Sequence, residues 1–390
     1  MRALQRRGHQ VEIVTALPHH LTGRIFSQYR GKFYVEESFE GNRIHRTWAY
    51  PASGVGLGRF FNYISFTLTS LFGLFRCQRP QYLFVESPPL FLGIAGVLFC
   101  SVRRVPMIFN VADLWPDSVR QLGVVKNELL LSLANRLESW IYGKSRFVNA
   151  TTVGIRETLL TTKKLPRSRV LFLPNGVDTS LFAPCEKDAA LLRELNIGNA
   201  RIFVYAGTHG VAQGLETLLD AAVLLRDSNI TILFIGDGPT KKRLVNKATE
   251  QHVKNVVFLG MQPVEAIPRF FSLATASIVP LVRNDLFKGA RPSKIFSALA
   301  AGLPVIFCGE GESAALLTAH HAGIVVEPQN ARALADAIIR LSADPQFCKE
   351  LGMNGRKLAN EEFDWDSIVE RWLGQIQSAQ TVDAGGLKKP

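Results

Sequence analysis

Two glycine-rich turns and one cationic helix start are the stretches of this 390-residue sequence best suited to chemistry. The first turn runs Ala206-Gly207-Thr208-His209-Gly210-Val211-Ala212-Gln213-Gly214, directly after the apolar run Ile202–Ala206. A helix is expected from near Leu215. Glycines between a strand and a helix let backbone N–H groups approach a phosphate, and the helix dipole favours the anion. The spacing is not G-x-G-x-x-G, so a simple dinucleotide site is not the first choice, and an ordinary turn fits the loop as well. The second turn, Gly236-Asp237-Gly238-Pro239, follows the apolar run Thr231–Gly236. Open α/β sheets hold ligands at such strand ends. A structural turn fits it equally, and Asp237 alone is poor evidence for a metal. The third stretch runs from Arg291-Pro292-Ser293-Lys294 through Ser297 to Gly302. Pro292 opens a short helix and Gly302 closes it. Lys288, Arg291 and Lys294 place cations at a helix N-terminus, where they are unfavourable unless an anion sits there too. That conflict argues for a bound phosphate, against the alternative of plain surface basicity.

The first half offers less. Asp113 lies in Asn110-Val111-Ala112-Asp113-Leu114-Trp115-Pro116-Asp117, just past an apolar run. A carboxylate at a strand's carboxyl end can face a cleft, and a turn aspartate reads the same way. Pro18-His19-His20 also follows a strand candidate. Two adjacent histidines point apart in extended chain, so a metal site using both is not expected, while one is free to meet substrate.

The elements that carry these stretches alternate short β-branched runs with helical stretches, the sign of βαβ units and a parallel sheet. In the first half, strands are predicted at Val11–Thr15, Ile44–Thr47, Tyr82–Glu86, Met107–Asn110, Phe147–Ala150 and Val170–Leu173. Helices fall around Arg59–Phe75, Phe91–Arg103, Asn127–Tyr142 and Gly154–Thr162. In the second half, strands recur at Ile202–Ala206, Thr231–Gly236, Val256–Leu259, Ala276–Val279, Val305–Phe307 and Ile324–Val326. The length suits two domains. The first spans 1–173 and the second 174–362, joined at the hinge-like Pro174–Pro184, and 381–390 reads as a loose tail. The opening Arg2–Gly8 reads as the end of a helix with a glycine stop, so the first strand of the N-domain is expected to be missing.

Charge is uneven. Of 45 Lys/Arg and 33 Asp/Glu, 23 and 10 lie between Met1 and Phe172, so the first half is at +13 and the rest at −1. A basic surface suits anionic lipid or phosphorylated ligands, and no nucleic-acid module signature is visible, so nucleic acid is not an expected partner. The five cysteines are scattered and none forms a C-x-x-C pair, which fits a reducing compartment without disulfides or a zinc site. The stretch Phe60–Phe75 is too short and too polar to span a bilayer; it reads as a buried or membrane-surface helix. Leu90–Val102 has the same ambiguity. No signal peptide is read at the start.

As a set, these stretches resemble the family 4 retaining glycosyltransferases of the GT-B fold, in particular the WbuB-like group of bacterial surface-polysaccharide enzymes. The matching residues are Arg7–Val11, Leu17–Tyr29, Glu86–Leu90, Asp113–Asp117, Pro174–Asp178, Tyr205–Leu215, Gly236–Pro239 and Pro292–Val305, in family order. The resemblance implies two Rossmann-like doubly wound domains facing across a cleft. The N-terminal domain would bind acceptor, and a helix at 363–378 would cross back onto it. The C-terminal domain would bind a nucleotide-sugar. The implied reaction moves a hexosyl or N-acetylhexosaminyl group from a UDP-sugar to a polyprenyl-diphosphate-linked saccharide, in O-antigen, capsule or exopolysaccharide synthesis. It would run in the cytoplasm, on the inner face of an anionic cell membrane. No cofactor and no metal are expected, because cations and helix dipole hold the diphosphate. Asp113 takes the catalytic position. Gly207, Thr208, His209, Gly210, Gln213, Gly214, Gly236, Asp237, Gly238, Arg291, Pro292, Ser293, Lys294 and Ser297 form the donor site.

The sequence departs from the family pattern in three places. Thr208 and Gln213 stand where many members have an arginine and a lysine. Gly289 and Ser297 occupy the E-x7-E positions, and the second glutamate usually binds ribose. Losing that bond costs about 1.5–3 kcal/mol, or one to two decades in affinity, unless Glu310 or Glu312 substitutes. The third departure is the absent first strand. A catalytically impaired, glycan-binding or scaffolding homologue is therefore the competing expectation, and a UDP-sugar epimerase ranks last.

Overall fold

The computed structural model describes residues 1–19, 23–52, 56–117 and 127–386. His20, and with it the second half of the histidine pair, lies outside the described residues. The chain divides into two compact units, Met1–Leu173 with Val369–Pro390, and Pro174–Ile368.

The first unit opens on α1 (Arg2–Gln5), and Gly8, at φ +78°, lies in the turn that follows it. It carries two sheets. In one, β1 (Glu12–Ala16) runs parallel to β3 (Asn42–Thr47), and β3 is antiparallel to β2 (Tyr34–Phe39). In the other, β4 (Leu83–Ser87), β5 (Met107–Val111), β6 (Phe147–Ala150) and β7 (Val170–Phe172) are all parallel. The single doubly wound sheet expected for this half is thus in two pieces, with β1 and β4 each at an edge. Helices bridge the pieces. α2 (Leu57–Arg76) packs on β1 and β3, α3 (Leu92–Arg103) packs on β4 and β5, and the two helices pack on each other through Phe75 and Phe99, 5.3 Å apart. β5 and β6 are buried along their whole length, as strands covered on both faces must be. α4 (Glu128–Lys144) and α5 (Val153–Thr161) complete the layer.

The second unit is one six-stranded parallel sheet in the order β10-β9-β8-β11-β12-β13. Its strands are β8 (Arg201–Ala206), β9 (Ile230–Ile235), β10 (Val256–Leu259), β11 (Ala274–Pro280), β12 (Val305–Cys308) and β13 (Gly323–Val326). This is doubly wound topology, and its direction reverses between β8 and β11. Alternate residues feed two cores. Val204, Leu233, Val279 and Phe307 pack against α10 (Ser293–Ala300). Phe203, Tyr205, Phe234 and Ile306 pack on the other face against α7 (Glu216–Leu224) and α12 (Ala331–Ala343). Between these lie α6 (Ala189–Glu194), α8 (Lys241–Glu250), α9 (Ile267–Phe271) and α11 (Glu312–Ala319).

α13 (Pro345–Leu358) leads to α14 (Trp365–Gly386). Within the first unit, the Trp372 Nε1–H donates to Asn149 Oδ1 at 3.0 Å and Gln375 bonds both backbone groups of Phe172. The helix expected at 363–378 is longer than its apolar pattern suggests. It continues to Gly386, so 381–386 are helical where a loose tail is expected from 381, and 387–390 lie outside the described residues. Gln380, bonded to the Tyr82 hydroxyl, helps extend it.

Candidate functional site

The crevice of a doubly wound sheet opens beyond the strand ends at the switch point, here β8 and β11. Both glycine turns lie there. Gly207 follows β8 with φ +148°, and Gly236 follows β9 with φ +136°. A Cβ on Gly236 would sit 2.0 Å from the Gly207 carbonyl oxygen, and one on Gly238 would sit 2.5 Å from that of His209. The two turns therefore pack backbone against backbone, and only glycine fits. The Gly207 N–H donates to Ile235 O at 2.8 Å, and the His209 N–H to Asp237 O at 2.8 Å.

Lys294 lies over this floor. A Cβ on Gly207 would stand 2.0 Å from Lys294 Cε, and Nζ is 5.7 Å from the centre of the Tyr205 ring. Lys294 makes no ion pair or hydrogen bond among the described residues. Burial lowers its pKa, because the charged form is deprived of water. A half-buried ammonium without a counter-ion is, among the described residues, the clearest sign of an anion site. The α10 N-terminus, where Lys294 sits, has no side-chain cap: the Ile295 N–H donates to Pro292 O at 3.1 Å, while the Ser293 and Lys294 amides have no acceptor among the described residues, as suits an anion site.

The other predicted donor residues separate into groups. Gly210 and Gly214 flank the short 3₁₀ turn Val211–Gln213, and Gly214, at φ +53°, lies against Val282. Thr208 and Asp237 are exposed at the rim, with Asp237 Oδ1 accepting the Gly238 N–H at 2.7 Å. Pro292 caps α10 and Ser293 is exposed. The Ser297 hydroxyl reaches only the Ser293 carbonyl, at 3.4 Å. Arg291 is not a free cation: its Nε–H donates to Glu312 Oε2 at 2.9 Å, and both side chains are mostly buried. That pairing also engages Glu312. Glu310 lines a small recess with Lys288 and Arg283, and is 3.6 Å from the Arg283 guanidinium.

His209 is placed differently from the expectation of a ligand contact. Its ring is fully buried between Tyr205 and Phe234, and neither ring nitrogen meets the geometry of a hydrogen bond among the described residues. Burial pushes its pKa down to about 4, and the nearby Lys241 adds to this. Its backbone carbonyl accepts the Thr240 N–H and Oγ–H, so the residue ties the two turns together.

In the first unit, Asp113 is exposed just beyond β5. Its segment is anchored by Asp117, which pairs with Lys163 Nζ at 3.1 Å. Lys163 in turn holds the buried Glu138 at 2.7 Å, and Glu138 accepts the Tyr142 hydroxyl at 2.8 Å. Burial raises the Glu138 pKa against the pull of Lys163. His19 is structural: Nδ1 lies 2.7 Å from Leu17 O and Nε2 2.8 Å from Asn62 Nδ2.

Comparison with known proteins decides the family. Residues 1–176 match the model described as glycosyl transferase 4-like domain, and residues 189–358 match glycosyl transferases group 1. The chain belongs to the family 4 glycosyltransferases of the GT-B fold. This glycosyltransferase is 24% identical, over 96% of its length and 93% of the relative's, to the putative colanic acid biosynthesis glycosyl transferase WcaI of Escherichia coli K12. It is also 24% identical to the Escherichia coli O-antigen chain mannosyltransferase C, over 64% of this chain and 65% of that one. Among solved structures, sucrose-phosphate synthase from Thermosynechococcus elongatus superposes with a TM-score of 0.73 at 22% identity, covering 98% of this chain and 91% of that one. Anabaena HepE in complex with UDP-glucose does so with 0.68 at 16%, covering 94% and 99%. The fold is shared with these two structures, and the two Escherichia coli relatives are named for colanic acid biosynthesis and for the O-antigen chain.

Proposed function

We propose that this glycosyltransferase is a retaining enzyme of the WbuB-like kind that binds a UDP-sugar in its second unit and passes the sugar to a polyprenyl-diphosphate-linked saccharide. The observation that carries the donor half is Lys294, a half-buried cation over the glycine floor with no ion pair among the described residues. A diphosphate there gives the ammonium its counter-ion and meets the free amides of α10. As the bond from the sugar to the diphosphate breaks, the leaving oxygen gains charge, and this arrangement stabilises it without a metal. The acceptor oxygen then bonds to the ion-pair-like sugar on the same face and its proton passes to the departing diphosphate oxygen; Asp113 is the proposed catalytic carboxylate. The solved HepE complex contains UDP-glucose, which supports the choice of nucleotide.

The acceptor half rests on α2, whose polarity is inverted. Its buried residues are Asn62, Thr67, Ser70, Gly73 and Leu74, while Leu57, Phe60, Phe61, Leu68, Phe72 and Phe75 are exposed. Leu98 and Val102 of α3 extend the patch, and Arg59, Arg76 and Arg103 border it. No helix among the described residues is long and apolar enough to cross a membrane. An exposed apolar stripe edged by arginines suits the inner face of an anionic bilayer, where a lipid-linked acceptor resides. A second reading, an impaired homologue that binds glycans, is favoured by Ser297, which supplies no carboxylate for ribose.

Calorimetric titration of the purified chain with UDP and GDP, repeated on Ser297→Glu, tests the donor. The active reading expects UDP to bind the native chain and to be preferred over GDP. If UDP binds only after the substitution, tightening by one to two decades or more, the impaired reading replaces it.

A further inference from the structure

We propose that Glu12, His45 and Cys77 form a site for a divalent metal of zinc's class, distinct from the donor site and tying α2 to the small sheet. The three residues come from different elements: Glu12 opens β1, His45 lies in β3, and Cys77 caps the C-terminal end of α2. Glu12 pairs in register with Arg43, and Val14 with His45, so both side chains rise from the sheet face that α2 covers, where Gly73 meets Val14 and His45. One ligand atom from each residue falls within 4.8 Å of the other two.

The histidine is the side chain that points to a ligand. Its side chain is 1% exposed, and its Nε2 is a buried polar atom with no hydrogen-bond partner among the described residues. The closest candidate, Glu12 Oε2, is 3.4 Å away, too far for a good hydrogen bond. It is the right distance for two ligands of one ion, because a tetrahedral centre with bonds of about 2.0–2.2 Å keeps its ligand atoms roughly 3.3–3.6 Å apart. The remaining contacts orient the set. Nδ1 of His45 is 2.8 Å from the Tyr34 hydroxyl, which donates to Glu36 Oε2 at 3.2 Å. With Nδ1–H donating to the tyrosine oxygen, Nε2 carries the lone pair a metal needs. Glu12 is held by the Arg43 guanidinium and by the Gln78 N–H at 3.1 Å.

Carboxylate, imidazole and thiolate together are a zinc-type donor set, leaving a fourth position for water. Binding is balanced in charge and protons. The Cys77 thiol, now 3.4 Å from Gly73 O, gives its proton to solvent as the sulfur–metal bond forms. The resulting thiolate and the Glu12 carboxylate neutralise the divalent ion. The sequence could not announce this site, because the ligands lie far apart and form no metal-binding spacing.

The full chain, stripped with chelator, is titrated with Zn²⁺ and with Co²⁺. The expected result is one equivalent of either, a thiolate-to-Co²⁺ charge-transfer band, and a higher melting temperature with Zn²⁺. Cys77→Ser loses the band, and Tyr34→Phe, which leaves the three ligands intact, weakens binding about 10–100-fold. Cys185→Ser, at an exposed cysteine, changes nothing. Absence of binding, Co²⁺ binding without the charge-transfer band, or binding indifferent to Cys77→Ser overturns the proposal.

Discussion

Replacing Lys294 by methionine keeps the length and apolar stem of the side chain and removes only its charge. In the free protein that charge is a burden. It is half-buried over Gly207, without a counter-ion among the described residues, and its pKa is lowered by burial. Lys294→Met should therefore leave the melting temperature of the free chain unchanged or raise it. With UDP present the sign reverses. A charge-assisted hydrogen bond to phosphate contributes about 1.5–3 kcal/mol, so the variant should bind UDP one to two decades more weakly by calorimetry. The comparison is Lys288→Met. Lys288 is exposed and already paired with Asp285 at 2.7 Å, so its loss should leave the affinity for UDP nearly unchanged. If Lys294→Met bound UDP as tightly as the native chain, the diphosphate site would be elsewhere. If it melted several degrees lower, Lys294 would be a structural residue, and the reasoning from its unpaired charge would fail.

Two further outcomes follow from buried ionisable groups. His209 has a folded pKa of about 4, below the ordinary 6.5, so its contribution to stability is complete above pH 6.5 and declines as the pH falls towards 4. About 3 kcal/mol is at stake, and scanning calorimetry of His209→Phe across that range should show a flatter pH dependence; equal slopes would contradict it. Lys163→Met strands Glu138 without its cation and should destabilise the first unit by about 3–5 kcal/mol, measured as a fall in melting temperature that Glu138→Leu largely restores.

The parallel strands were legible in the sequence because strands buried on both faces are written as unbroken apolar runs, as in Met107–Val111 and Ile202–Ala206. β2 was not. Tyr34–Phe39 contains Glu36, Glu37 and Ser38, and as an edge strand with much exposed surface it carries no hydrophobic signature. The division of the first unit into two sheets was also hidden, since strand pairing is a long-range choice. Within the donor site, composition could count Arg291 and Lys294 as two cations. Only coordinates separate the one neutralised by Glu312 from the one left unpaired. Similarly, His209 sits in a phosphate-type loop by sequence, and only packing reveals that its ring fills a core.

The reversed polarity of α2 has a consequence for anyone altering this protein. On an ordinary surface helix, hydropathy marks the positions that tolerate least. Here the ranking runs the other way. A single methyl added at Gly73 would meet Val14 at 2.8 Å and Thr47 at 3.0 Å, whereas Leu57, at 77% exposure, touches little. Sequence-guided efforts to make the chain better behaved would swap the exposed phenylalanines for charges and enrich the small polar positions with aliphatics. The first change would remove the surface proposed to meet lipid, and the second would lift the helix from its sheet.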